Sequence, residues 1–183
     1  MQDKKRSAVQ SVFRDISSRK LAMLALLTAL AILIGYVESL IPLNFGIPGI
    51  KPGLCNIVIL ITMMLFSWRE ALIVSAARVL VIGFLFGNLF SILYGLTGTV
   101  LSILVMAFLF EMEIFGMLGI SAAGGTIHNI GQLLVAKAVL PALPLLWYTP
   151  VLIFAGMATG ALVGLLVHEI WQRTRIAYFG RDL

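Results

Sequence analysis

Charge is what this chain of 183 residues lacks most. Only 11% of its residues are charged, against about 25% in a typical soluble domain. Its single cysteine, Cys55, excludes an intrachain disulfide and any CxxC metal or redox site. We read it as a small packing residue. The eight acidic residues are scattered, and only Glu38 falls inside an apolar run. No Walker A sequence is present, which excludes nucleotide hydrolysis by that route. HExxH and GxSxG are absent as well, as is a DDxxD-type acidic cluster that would hold magnesium and a diphosphate. These absences predict a protein that is not an enzyme and that needs no metal and no cofactor.

Apolar sequence fills the space that charge leaves. The chain is 61% hydrophobic, with a mean hydropathy of +1.07. A soluble fold of this length cannot bury so much apolar surface, so the composition points to an integral membrane protein. The apolar segments are continuous rather than alternating, which favours helices over a barrel. Six runs stand out: Leu21 to Ile41, Leu54 to Trp68, Ala71 to Phe86, Leu89 to Phe110, Ile114 to Leu140 and Leu145 to Val167. They predict an all-α integral membrane protein with six transmembrane helices. The expected organisation is a basic N-terminal segment over 1–20, a membrane domain over 21–167 and a tail over 168–183. The first run is too long for a signal-peptide core and lacks a small-residue cleavage site, so it reads as a retained helix. The second run is short and is either thin or extended by the segment before it.

The cations set the expected orientation. Lys4, Lys5, Arg6, Arg14, Arg19 and Lys20 precede the first run; Arg173, Arg175 and Arg181 follow the last, and Arg69 lies between the second and third. Only Lys51 is available to the other side. The positive-inside rule then places both termini in the cytoplasm of a multi-pass cell-membrane protein. Cations that flank spans do not build a folded basic face, so no nucleic-acid partner is expected.

Polar residues inside the runs are the candidates for function, because ionisable groups there cost about 2.5–3.5 kcal/mol on insertion scales. Glu38, Arg78, His128 and Lys137 are such groups, with Asn56, Asn129 and Gln132 beside them. His128 and Gln132 are four residues apart and share a helical face. Arg78 falls too centrally to snorkel. Glu38 and Lys137 have similar expected depth, and their mutual pairing is one reading of both. The stretch 42-PLNFGIPGIKPGLCNIVIL-60 adds Asn44 and Lys51 in a segment with three prolines and three glycines. We read it as a stiff lid or re-entrant turn over a pocket, since irregular backbone at membrane depth must line protein or water. The excess of Arg78, Lys51 and Lys137 over Glu38 favours an anionic group on the ligand. Small residues at Ala25, Ala29, Gly156, Gly160 and Gly164 mark close helix contacts, with the glycine series read mainly as internal packing.

Three segments carry a family likeness: 47-IPGIKPGLCNIV-58, 68-WREALIVSAARVLVIGFLFG-87 and 119-GISAAGGTIHNIGQLLVA-136. They resemble the Gx transporter family, also described as heptaprenyl diphosphate synthase component I. Pro52 departs from that pattern, where an apolar residue is expected, and makes the loop stiffer. The family is similar in size and helix count to the substrate-binding S components of energy-coupling-factor transporters. That likeness implies an S-component-like bundle in a bacterial inner membrane that binds a small solute from outside. It implies docking through Ala25 and Ala29 on a transmembrane coupling subunit that works with ATPases. On this reading Asn44, Lys51, Asn56, Arg78, His128, Asn129, Gln132 and Lys137 bind the solute. The family description implies an alternative, a non-catalytic membrane component of a prenyl diphosphate synthase in isoprenoid or quinone metabolism. An assembly subunit of a membrane redox complex is a third reading.

Overall fold

The computed structural model describes residues 2–40, 53–141 and 145–179, with side chains over 17–40, 53–141 and 147–174. Asn44 and Lys51 therefore lie outside the described residues, as does most of the expected lid. The described chain forms six α-helices: α1 (Gln2–Leu40), α2 (Cys55–Leu65), α3 (Trp68–Phe86), α4 (Leu89–Glu111), α5 (Met117–Val139) and α6 (Thr149–Phe179). A 3-10 turn over Leu145–Tyr148 leads into α6. Each helix coincides with one of the apolar runs, and no strand is present among the described residues. The outer two helices are longer than their runs. Helix α1 continues back through the basic N-terminal segment and α6 forward into the basic tail, because Lys, Arg, Gln and Ala are good helix formers.

Three of these helices are long and apolar enough to cross a membrane: Ser17–Leu40 of α1, Leu89–Glu111, and Thr149–Thr174 of α6. Helix α3 carries Arg69, Glu70 and Arg78, and α5 carries His128, Asn129, Gln132 and Lys137, which dilutes their hydropathy. Large apolar side chains face outward around the bundle, among them Leu26, Leu33, Phe84, Phe108, Leu134 and Phe154. An apolar exterior of this extent is what a lipid-facing protein presents. The chain is a membrane-type, all-helical protein.

Helix ends are set by local chemistry. The Ser67 hydroxyl accepts from the Arg69 amide at 3.2 Å to start α3. Asn88 and Ser91 form a reciprocal capping box at the start of α4, each side chain accepting from the other's amide at 2.8 Å. This satisfies donors that a helix N-terminus leaves unpaired. Gly53 opens α2 with φ +70, a left-handed conformation that a side chain disfavours.

Around the bundle the neighbours run α1, α3, α4, α5, α6, α2 and back to α1. Helix α3 lies parallel to α1. Lys20 pairs with Glu70 at 2.5 Å at one end, and Tyr36 meets Phe86 with ring centroids 4.9 Å apart at the other. Glycines set the tightest contacts. A Cβ at Gly125 would lie 2.2 Å from the Gly156 carbonyl oxygen, and one at Gly160 would lie 2.3 Å from that of Ser121. The glycine series of α6 is thus spent on α5, as internal packing.

Helix α2 is the exception to the spanning pattern. Its 11 residues extend only about 16 Å, roughly half the thickness of a bilayer's hydrocarbon core. Cys55, Val58, Ile59, Leu60, Thr62 and Met63 are buried, and Val58, Ile59, Leu60 and Met63 join the central cluster with Val74, Ile103 and Val163. Its first residue, Cys55, touches Arg78, which lies near the middle of the 19-residue α3. Helix α2 therefore fills only one half of the bundle interior. The other half, toward the end where α1 stops at Leu40, holds a cavity among the described residues.

Candidate functional site

That half of the bundle encloses a cavity of about 220 Å³. Every helix contributes to its wall. Helix α1 gives Glu38 and Ser39, α2 gives Cys55 and Asn56, and α3 gives Arg78, Val79, Ile82 and Phe86. Helix α4 adds Ser91 and Tyr94, α5 adds His128, Asn129 and Gln132, and α6 adds Thr159. Five of the residues expected to bind solute, Asn56, Arg78, His128, Asn129 and Gln132, are thus brought into one space from three helices.

Arg78 is placed by two neighbours. Its aliphatic stem lies over Gly35, where a Cβ would sit 3.6 Å from Arg78 Cδ. Its Nη1 donates to Cys55 Sγ at 2.6 Å. Its Nε is buried without a hydrogen-bond partner, and no ion pair engages it among the described residues. Cys55 accordingly does more than pack: its sulfur is the guanidinium's hydrogen-bond acceptor in the cavity wall.

On α5, the i, i+1 and i+4 positions of His128, Asn129 and Gln132 divide between two tasks. Asn129 Nδ2 donates to the Leu152 carbonyl on α6 at 2.8 Å, so this amide ties two helices while lining the cavity. Asn129→Ala is expected to remove about 0.5–1.5 kcal/mol of stability. For a domain of this size that lowers the melting temperature by about 1–6 °C, readable by thermal unfolding of the detergent-purified protein. His128 and Gln132 are held against α4 at Gly98, where a Cβ would fall 2.8 Å from the His128 carbonyl oxygen and 2.9 Å from Gln132 Cγ. Gln132 is 8% exposed, and its side chain makes no hydrogen bond among the described residues. Its side chain lines the cavity.

Two expectations are corrected. Glu38 and Lys137 do not pair. The Glu38 carboxylate, 6% exposed, accepts from the Leu54 amide, which fastens the end of α1 to the start of α2. Lys137 Nζ instead donates to the Pro141 carbonyl at 2.7 Å, where a cation meets the unpaired carbonyls of the α5 C-terminus. Lys137 is consequently not among the cavity-lining residues. Ala25 and Ala29 are exposed on α1, away from the cavity.

The wall also contains residues that the sequence had not singled out. Tyr94 and Ser91 sit in the uniformly apolar α4 run, and Thr159 sits inside the glycine series of α6. Only the hydroxyl on an apolar face marks them, a weak signal without knowledge of how α4 and α6 are rotated. Among the described residues no group of three His, Cys, Asp or Glu side chains could hold a metal ion.

A six-helix, membrane-type bundle around a cavity with polar groups set in a mostly apolar wall is the class this architecture defines. Residues 27–170 match the profile of the family described as heptaprenyl diphosphate synthase component I. The match covers most of the chain and every described cavity residue, and the chain belongs to that family. No curated protein and no solved structure matches it.

Proposed function

We propose that the chain is a non-catalytic membrane subunit that binds a small ligand in this cavity, with Arg78 as the anchor for an anionic group. The observation that carries the reading is Arg78 itself. A guanidinium near mid-bundle, with a buried and unbonded Nε and no ion pair among the described residues, is costly unless something else occupies its donors. With both termini in the cytoplasm, as the cations favour, the cavity faces the outer half of the cell membrane.

The family description supports one setting for this subunit: a membrane component that works beside a catalytic prenyl diphosphate synthase, with the ligand acting as effector or substrate. Exposure of Ala25 and Ala29 on α1 favours a second setting, the substrate-binding subunit of an energy-coupling-factor-type transporter. There the small residues would let a transmembrane coupling subunit approach closely. Two measurements separate the settings. Thermal-shift titration of the purified chain with prenyl diphosphates, inorganic diphosphate and vitamin-like solutes reads the ligand, since occupancy at 100 times the dissociation constant adds about 2.7 kcal/mol. Co-expression with a catalytic prenyltransferase subunit, or with a coupling subunit and its ATPases, reads the partner through stable co-purification. Ala29→Leu is the control for the second arm: it should abolish capture by the coupling subunit and leave ligand binding intact.

A further inference from the structure

Of the cations that favoured an anionic group on the ligand, Arg78 lines the cavity, Lys137 does not, and Lys51 lies outside the described residues. Lys137 Nζ donates to the Pro141 carbonyl at 2.7 Å. The charged side chains that remain in the described wall are one of each sign, Arg78 and Glu38. Both line the same cavity. The Arg78 stem rests on Gly35, one helical turn before Glu38 on the same face of α1. Yet no ion pair joins them. Each is held separately: Arg78 by the Cys55 thiol and by packing on Gly35, Glu38 by the Leu54 amide.

A guanidinium and a carboxyl group that line one cavity with no ion pair between them suit a molecule with two poles. We infer that the ligand is dipolar: an anionic group on Arg78 and an ammonium or N–H donor on Glu38, with a hydrogen-bonding edge facing the Gln132 amide. This rests on the binding reading above and narrows it. An ionised carboxylate only accepts hydrogen bonds, and a guanidinium only donates them. Gln132, more than nine-tenths buried and without a hydrogen bond among the described residues, offers both and prefers a partner that supplies both. A diphosphate brings acceptors alone and offers no donor to the Glu38 side chain. Size narrows the class further. A cavity of about 220 Å³ suits a small ligand, such as an amino acid or a small heterocyclic carboxylate with a ring N–H.

The test is isothermal titration of the full detergent-purified chain with two probe sets. One holds the free amino acids and N–H-bearing heterocyclic carboxylates; the other holds inorganic phosphate, inorganic diphosphate and dicarboxylates. Glu38→Gln keeps an oxygen for the Leu54 amide and so preserves the tie between α1 and α2. Binding of a dipolar probe that weakens at least 10-fold in both Glu38→Gln and Arg78→Gln supports the inference. A second readout uses the native chain alone: blocking the amine or ring nitrogen of that probe should weaken its binding at least 10-fold. Binding confined to the pure anions, lost in Arg78→Gln and unchanged in Glu38→Gln, overturns the dipolar ligand and leaves the Arg78 site standing. A dipolar probe that binds Glu38→Gln as well as the native chain overturns it too. Binding of no probe, or binding indifferent to Arg78→Gln, overturns both readings.

Discussion

Gly156→Leu is expected to prevent the chain from being recovered as a monodisperse folded protein, and Gly156→Ala is expected to melt well below the native chain. A Cβ at Gly156 would lie 2.5 Å from the Gly125 carbonyl oxygen, 2.9 Å from its carbonyl carbon and 2.8 Å from Asn129 Nδ2. Two of these atoms are α5 backbone, which cannot rotate aside as a side-chain end can. Relief requires the helices to part, and parting also stretches the bond from Asn129 to the Leu152 carbonyl. Overpacking of this kind typically costs about 1–3 kcal/mol, against a total stability of about 5–15 kcal/mol. For Gly156→Ala that corresponds to a fall of about 2–12 °C in melting temperature. Leucine adds three further carbons to the same gap and takes the cost beyond that range. Gly119→Ala is the matched control on α5. Its Cβ would meet only Phe115, at 3.7 Å and beyond, so the better helix propensity of alanine should leave stability unchanged or raise it by up to about 1 kcal/mol. Equal melting temperatures for Gly156→Ala and the native chain would remove the close contact between α5 and α6 as the basis of this packing.

Helices were the most legible feature of the sequence, for a simple physical reason. A chain in lipid must satisfy its backbone within each segment, so apolar runs translate directly into helices, and all six runs do. Within a helix, periodicity also carried the face: His128 and Gln132 were placed together by spacing alone and line the same cavity. What the sequence does not encode locally is rotation and neighbour identity. Depth along the chain suggested Glu38 for Lys137, yet Glu38 is taken by the Leu54 amide and Lys137 by Pro141, both contacts nearer in sequence. Tyr94 was invisible inside a run of apolar residues, because only the rotation of α4 decides whether its hydroxyl meets lipid or cavity. The short second run was legible as an anomaly but not as a consequence. Helix α2 begins level with Arg78, and its shortness is what leaves room for the site. Asn44 and Lys51 lie outside the described residues, so the lid over that room stands as an expectation.

Arg78→Ala is expected to separate ligand binding from folding: binding weakens while the ligand-free chain loses no stability. Hydrogen bonds to a charged group are worth about 1.5–3 kcal/mol, so losing the anchor should weaken ligand binding by about 10-fold to 150-fold. Stability of the ligand-free chain should behave differently. The guanidinium is desolvated near mid-bundle, and its one hydrogen bond goes to a sulfur, a weak acceptor. Removing a charge that lacks a carboxylate partner does not leave a partner stranded, so the destabilisation that follows breaking a buried ion pair does not apply. Its absence should leave the ligand-free melting temperature unchanged or raise it. Arg78→Lys keeps the charge and loses the planar fork, and should bind with intermediate affinity. The measurement is a melting curve for each variant with and without ligand. A native-like ligand-free curve whose ligand-induced shift disappears assigns Arg78 to binding. A ligand-free melting temperature that falls by several degrees would instead make Arg78 a structural clasp on Cys55, because a side chain retained for a ligand has no reason to hold the empty protein together.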